Sequence, residues 1–159
     1  MPEKVKPVRE GEQTVTAHLM LRGAAKAVEF YQKAFGATLM FIHTMPDGKV
    51  MHASLKIGNS TVMLADDFLP PSTQAVGGGQ VMLNLVVEDV DALWKQAVAA
   101  GAKVTLPLAD MFWGDRYGQL VDPYGQTWAL LSHVEEVPRE EMERRAKVMY
   151  AQMTNKANA

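Results

Sequence analysis

Three of the four histidines, His18, His43 and His52, lie in the first third of the chain. The alternation of apolar and polar residues around each of them predicts a β-strand. Imidazole nitrogens bind metal ions and exchange protons near neutral pH, so a metal site or an acid–base site is one interpretation. The other interpretation is that these are hydrogen-bonded strand histidines that line or flank a cleft.

A second group with chemical potential is Trp113, Asp115, Arg116 and Tyr117, at the start of a predicted hairpin. The forked guanidinium of Arg116, together with Asp115, could hold an anionic or carbonyl-bearing ligand. Trp113 and Tyr117 could stack on a planar ligand. A structural ion pair, and two rings that cover the core or a dimer interface, are the alternatives.

The composition limits which classes of protein are plausible. The chain has 159 residues, 48% of them hydrophobic, which is enough for the core of one domain. A net charge of −2 gives no basic surface for nucleic acid, and without cysteine there are no disulfides or thiolate ligands. No window resembles a membrane span, and residues 1–13 lack the apolar core of a secretion signal. We therefore expect a cytoplasmic protein with neither nucleic-acid nor membrane partners.

The first half of the chain predicts a strand, a helix and three further strands. Ala27, Val28, Tyr31 and Phe35 recur at helical spacing, and Gly36 follows as a helix end. Pairs of strands are separated by the turn signals Pro-Asp-Gly and Gly-Asn. The predicted elements are Thr14–Arg22, Ala24–Phe35, Thr38–Met45, Val50–Ile57 and Ser60–Ala65.

The second half repeats this order. It predicts a strand, a helix, a strand and a hairpin whose turn is Asp122–Gly125, with Pro123 at the second turn position that its fixed φ suits. The predicted ranges are Val81–Val87, Val90–Ala100 and Ala102–Leu106, followed by the two hairpin strands on either side of that turn.

Sliding the chain along itself supports an internal repeat. Phe35–Ala37 aligns with Ala100–Ala102 at an offset of 65, and Thr61–Leu64 aligns with Thr127–Leu130 at an offset of 66. Each match falls at the same place in the same order of elements. The sequence thus predicts a duplicated βαβββ unit.

These patterns define a provisional organisation. Residues 1–13 are predicted to be a flexible arm and residues 14–136 a single domain. Within that domain, module one spans 14–66, a linker spans 67–79 and module two spans 80–133. Residues 137–159 are predicted to form a C-terminal helix, Pro138–Met153, and a tail, with Met142, Ala146, Met149, Tyr150 and Met153 in an apolar stripe.

Several segments together resemble the vicinal oxygen chelate superfamily of glyoxalases, bleomycin-resistance proteins and extradiol dioxygenases. They are His18–Arg22, Ala27–Tyr31, Val86–Ala92 and Asp122–Gly125. Phe112–Gly118 and Ser132–Glu135 resemble the PhnB-like branch. The resemblance implies an α+β fold in which two tandem βαβββ modules form curved sheets around a cleft. The helices would lie outside, and a homodimer would usually complete the cleft.

Enzymes of this superfamily bind a divalent cation through ligands on the first and last strand of each module. The resemblance assigns those positions to His18, Met63, Met82 and Ala129, with Thr16 as an alternative to His18. Only the imidazole among them is a ligand for such an ion, so we expect no metal cofactor. A relocated site that uses His52, with Ser54 and Asn84 nearby, is the alternative.

The function we expect is metal-independent binding of an apolar or aromatic small molecule by a homodimer, as in the bleomycin-resistance relatives. The predicted ligand-binding residues are His18, Met20, His52, Met63, Asn84, Trp113 and Arg116, and no catalytic residue is assigned. The alternative is a glyoxalase-like lyase, isomerase or dioxygenase with a non-standard divalent metal site. A third possibility is an interaction role in which the C-terminal helix docks a partner.

Overall fold

The first half of the computed structural model is a four-stranded sheet with one helix. The structure describes residues 10–68 and 81–157. The elements of the first half are β1 Ala17–Leu21, α1 Ala24–Phe35, β2 Thr38–Thr44, β3 Val50–Ile57 and β4 Ser60–Asp66. Strand β1 pairs in parallel with β4, and β3 pairs in antiparallel with β4 and β2, giving the order β1-β4-β3-β2.

The elements of the second half are β5 Met82–Val86, α2 Val90–Ala100, β6 Lys103–Asp110, β7 Asp115–Val121 and β8 Thr127–His133, followed by α3 Arg139–Ala157. Its sheet has the same topology as the first, with the order β5-β8-β7-β6 and β5 parallel to β8. The predicted α+β class is confirmed. Strand β6 extends beyond the predicted end at Leu106 through Pro107, which an edge strand tolerates. Residues 1–9 of the predicted arm and 69–79 of the predicted linker lie outside the described residues.

One side of each sheet carries the helices, and the alternation along the strands decides which side chains lie there. In β1, Leu19 and Leu21 are buried whereas His18 and Met20 are exposed. In β4, Val62 and Leu64 are buried under α1 in the same way. We call the opposite side of each sheet its helix-free face.

The two modules share a single hydrophobic core, because α1 and α2 pack on each other. From α1, the rings of Tyr31 and Phe35 lie 5.5 and 4.7 Å from that of Trp128 on β8. The side chain of Gln96 on α2 donates to the carbonyl oxygens of Lys33 and Ala34 at the end of α1, at 2.9 and 3.2 Å. Aromatic packing and polar capping therefore fix the modules against each other.

A buried carboxylate, that of Asp122, joins the same two modules. Its Oδ2 accepts hydrogen bonds from the Tyr31 hydroxyl at 2.6 Å and the Trp128 indole at 3.0 Å. Its Oδ1 accepts from the backbone N–H groups of Tyr124 and Gln126, at 2.9 and 3.0 Å. Burial and the neighbouring Asp122 raise the pKa of Tyr31, so the phenol stays a donor at neutral pH.

Residues at equivalent positions form hydrogen bonds with the N-terminus of the helix in each module. Asp66 Oδ1 accepts from the N–H groups of Gly23 and Ala24 at 2.9 and 3.1 Å, which satisfies donors at the helix N-terminus. At an offset of 66, Ser132 Oγ accepts from the N–H of Val90 at 3.1 Å. The repeat thus extends to the side chains that position the helices.

Helix α3 is attached to the domain mainly through Arg145. Its guanidinium donates to Glu135 at 3.0 and 2.8 Å and to the Phe112 carbonyl oxygen at 3.3 Å. Of the predicted apolar stripe, Met142, Ala146 and Met149 are half-buried, whereas Tyr150 and Met153 are exposed. Among the described residues, no helix is long and apolar enough to cross a bilayer.

Candidate functional site

The helix-free face of module one gathers most of the predicted ligand-binding residues. The strand register places Met63 beside both His18 and Ser54, and Met20 follows His18 by two residues on the same face. The imidazole rings of His18 and His52 lie 5.6 Å apart at their centres, nearly perpendicular. The sequence predicted the residues of this group but not which of them are neighbours.

Strand β2 contributes two more side chains to this face. Phe41 is the register partner of Ser54, and its ring centre lies 6.0 Å from that of His52. His43 is the register partner of His52. The face therefore combines imidazole, thioether and aromatic groups with the aliphatic hydroxyl of Ser54.

The helix-free face of module two is built from different residues at the equivalent positions. Asn84 pairs with Ala129, and Ala129 pairs with Gln119 on the next strand. The Gln119 amide donates to the Tyr117 hydroxyl at 2.9 Å, and this hydroxyl lies 3.9 Å from the sulfur of Met82. These contacts fix the Tyr117 ring on the face, which the sequence did not show.

The two modules meet along a seam between the edges of β1 and β5. A groove of about 430 Å³ there is lined by His18 and Met20 of β1 and by Leu83 of β5, among others. A second cavity, of about 210 Å³, is lined by Asn84, Thr61 and Trp128, among others. The seam thus brings residues predicted to bind a ligand in module one close to module two.

The metal positions of the family can be compared with this geometry. In module one the register pairs His18 with Met63, and in module two it pairs Asn84 with Ala129. Asn84, rather than Met82, is therefore the structural equivalent of His18, which corrects the sequence assignment. The cause is that periodicity gives the face of a strand but not its register.

This set of donors does not fit a catalytic divalent cation. A single imidazole stands with a thioether, an amide and the methyl group of Ala129, whereas such ions are held by several imidazoles or carboxylates. Across residues 10–68 and 81–157, no group of three or more His, Asp or Glu side chains is suitably placed to hold a metal ion.

The head of the β7–β8 hairpin forms a hydrogen-bonded network. Asp115 accepts from the Trp113 indole at 2.9 Å and lies 3.0 Å from Nδ1 of His133. The other ring nitrogen of His133 lies 3.2 Å from Glu136. The hydrogen bond with Asp115, followed by that with Glu136, raises the pKa of His133. Trp113 packs edge-to-face on Tyr117, with ring centres 5.6 Å apart, so this network borders the helix-free face.

Arg116 does not join these residues. It alternates with Asp115 and Tyr117 and so lies on the helix side of the sheet, next to Ser132. Its guanidinium makes a two-pronged ion pair with Asp91 of α2, at 2.8 Å for both bonds, and a third bond to Asp110 at 3.1 Å. The structure thus places Arg116 in a structural ion pair rather than in a ligand clamp.

Comparison with known proteins shows which family the chain is related to. The family model described as the Glyoxalase/Bleomycin resistance protein/Dioxygenase superfamily matches residues 15–130. The Uncharacterized protein Rv0887c of Mycobacterium tuberculosis is 41% identical over 140 residues, which cover 83% of this chain and 81% of that protein.

Solved structures show the same fold. TioX from Micromonospora sp. ML1 has a TM-score of 0.60 and 28% identity, and the match covers 76% of this chain and 99% of that one. The PhnB protein from Bacillus cereus has a TM-score of 0.59 and 22% identity, over 76% of this chain and 99% of that one. The likeness to the PhnB protein shows a shared fold. The chain belongs to the Glyoxalase/Bleomycin resistance protein/Dioxygenase superfamily.

Proposed function

We propose that this protein binds an apolar or aromatic small molecule on its helix-free faces and does so without a catalytic divalent cation. The observation that carries the proposal is the donor set at the family's metal positions. Met63 and Ala129 occupy two of the four, and neither offers an oxygen or nitrogen ligand. Members of this superfamily commonly bind small molecules.

The chemistry of the two faces supports an apolar or aromatic ligand. Met20, Met63 and Phe41 supply adaptable apolar surface, and thioethers also pack well against aromatic rings. On the helix-free face of module two, the Gln119 amide and the Tyr117 hydroxyl supply a fixed polar pair. Sites of this kind hold a ligand by burying its apolar surface and orient it with a few hydrogen bonds.

We also propose that the protein works as a homodimer. Met20, Phe41 and Met82 on the helix-free faces are 40% or more exposed in the single chain, as is Met40 on the edge strand β2. Covering such side chains with a second copy removes apolar surface from water. Sedimentation velocity should therefore show a dimer, and a monomer at micromolar concentration would contradict this part of the proposal.

A thermal-shift screen of planar aromatic and apolar compounds tests the binding function. A compound that raises the melting temperature should lose affinity in Tyr117→Phe, because the hydroxyl is half of the polar pair, and in Met63→Leu. Tyr150→Phe is the matched control, since this tyrosine belongs to α3 and to neither sheet. Equal binding by all three variants would place the ligand elsewhere.

Titration with Ni²⁺, Zn²⁺, Mn²⁺ and Fe²⁺ separates binding from the enzymatic alternative. We expect no tight stoichiometric divalent ion and no change in unfolding when a chelator is added. One tightly held divalent ion per chain, lost in His18→Ala but retained in His43→Ala, would contradict the proposal. It would favour a glyoxalase-like or dioxygenase activity instead.

A further inference from the structure

Four side chains with soft or borderline donor atoms lie together on the helix-free face of module one. They come from three neighbouring strands: His18 and Met20 from β1, Met63 from β4 and His52 from β3. Met63 is the register partner of His18, and Met20 is the register partner of Ala65. The methyl group of Ala65 is the smallest side chain in this row of the sheet, which leaves room between the larger ones. We call this group the His–Met cluster.

The spacing of its two imidazoles suits a shared ion. Metal–nitrogen bonds of about 2.0–2.1 Å put the centres of two imidazoles on one ion roughly 5–6 Å apart, depending on the bond angle. The rings of His18 and His52 are 5.6 Å apart at their centres and inclined by 80°. Methionine has three rotatable bonds, so the thioethers of Met20 and Met63 can turn toward a point between the rings.

The donor atoms select the kind of ion. Thioether sulfur is a soft, uncharged ligand that suits Cu(I), whereas Zn²⁺ and other divalent ions are held by thiolates, carboxylates or three or more imidazoles. Within the described residues, no third His, Asp or Glu completes such a set. Two imidazoles and two thioethers carry no formal charge, which favours an ion with a single charge.

We propose that His18, Met20, His52 and Met63 form a Cu(I)-binding site on the helix-free face of module one. The site is open to solvent, since His18 is exposed and Met20 is 51% exposed, so an ion can enter without a change of fold. This proposal does not depend on the ligand-binding function, because it concerns a monovalent ion and needs no organic ligand.

Module two provides an internal comparison. The residue equivalent to His18 is Asn84, that equivalent to Met63 is Ala129, and Tyr117 stands where module one has His52. None of these three offers an imidazole or a thioether. The site is therefore specific to module one, and each chain should bind one ion.

Competition with bicinchoninate under anaerobic conditions tests the proposal with the full-length protein. The wild-type chain should withdraw one Cu(I) per chain from the chelator. His18→Ala and Met63→Leu should each weaken binding by about tenfold or more, equivalent to 1.4 kcal/mol or more. Met82→Leu and His133→Ala, both on module two, are the matched controls, and both should bind as the wild type does.

A second measurement needs no variant. Ag(I) is a redox-inert substitute for Cu(I), and ¹³C-methyl labelling gives a signal for each of the 11 methionines. One equivalent of Ag(I) should shift the signals of Met20 and Met63 only. The proposal is overturned if the protein does not compete with bicinchoninate, or if Ag(I) shifts other methionines instead. It is also overturned if Met63→Leu binds Cu(I) like the wild type, because the thioether would then contribute nothing.

Discussion

Removing the Tyr31 hydroxyl should show how strongly the two modules are coupled. Tyr31→Phe keeps the ring in the shared core and deletes only the donor to Asp122, a bond of 2.6 Å between two buried side chains. Tyr31 is fully buried, so water does not replace the lost donor. The Trp128 indole remains bonded to the same carboxylate oxygen, and the chain should therefore still fold.

The magnitude follows from the charge of the acceptor. A hydrogen bond to a charged group contributes about 1.5–3 kcal/mol, so we expect Tyr31→Phe to lower the free energy of unfolding by about 2 kcal/mol. For a chain of this size, that corresponds to a melting temperature lower by about 4–8 °C. Asp122→Asn should cost more, about 3–6 kcal/mol, because an amide does not accept from all four donors that the carboxylate satisfies.

Urea unfolding at pH 7, followed by fluorescence, measures both variants. Tyr124→Phe is the matched control, because Tyr124 packs in the same aromatic cluster but its side chain is not bonded to Asp122. It should change the free energy of unfolding by less than about 0.5 kcal/mol. If Tyr31→Phe costs no more than Tyr124→Phe, the bond between the modules contributes no net stability and the reasoning is refuted.

Three further predictions concern charged groups. Burial opposes ionisation of Asp66, but bonds from three backbone N–H groups lower its pKa from 3.8, so its stabilisation is complete above that value and is lost as the pH falls further. In Asp66→Asn, the urea midpoint should depend less steeply on pH in this acid range, and an unchanged slope would contradict this prediction. Because the pKa of His133 is raised, its contribution to stability depends on pH in the opposite way. The contribution is complete below pH 6.5 and is lost as the pH rises through the pKa of the folded state. NMR titration of its ring should give a midpoint above 6.5 that returns toward 6.5 in Asp115→Asn. Arg116→Lys should lose the two-pronged bond to Asp91 and melt slightly lower at low salt, with unchanged ligand affinity; weaker binding would return Arg116 to the ligand site.

The sequence predicted the elements whose signals are local. The bounds of α1, α2 and β3 agree with the prediction, because helical spacing and flanking glycines depend on a few neighbouring residues. Strand β6 was predicted too short, since its length depends on pairing with β7 rather than on its own residues. Periodicity thus gives the elements but not how far each one is paired.

The candidate site was predicted less completely. The sequence placed His18, Met20 and Met63 on one face. That His18 and His52 are neighbours depends on the register of three strands, which the sequence does not show. The sequence could have shown that Arg116 lies on the helix side of its sheet. Arg116 and Leu120 are four residues apart in one strand and so lie on the same side, and Leu120 is an apolar residue that packs in the core. The role of Asp122 in joining the modules had no local signal, since its partner Tyr31 is 91 residues away.

The duplicated framework and the divergent helix-free faces have a consequence for ligand binding. Asp66 and Ser132, at equivalent positions, each accept a hydrogen bond from a backbone N–H at the start of a helix, so the two modules present their faces in similar ways. The faces themselves differ, because Asn84 replaces His18 and Tyr117 replaces His52. A ligand held between one face of each kind would meet imidazole and thioether groups on one side and an amide and a phenol on the other. Such a site would bind a molecule with two unlike ends in a single orientation, whereas two identical faces would accept that molecule in either orientation.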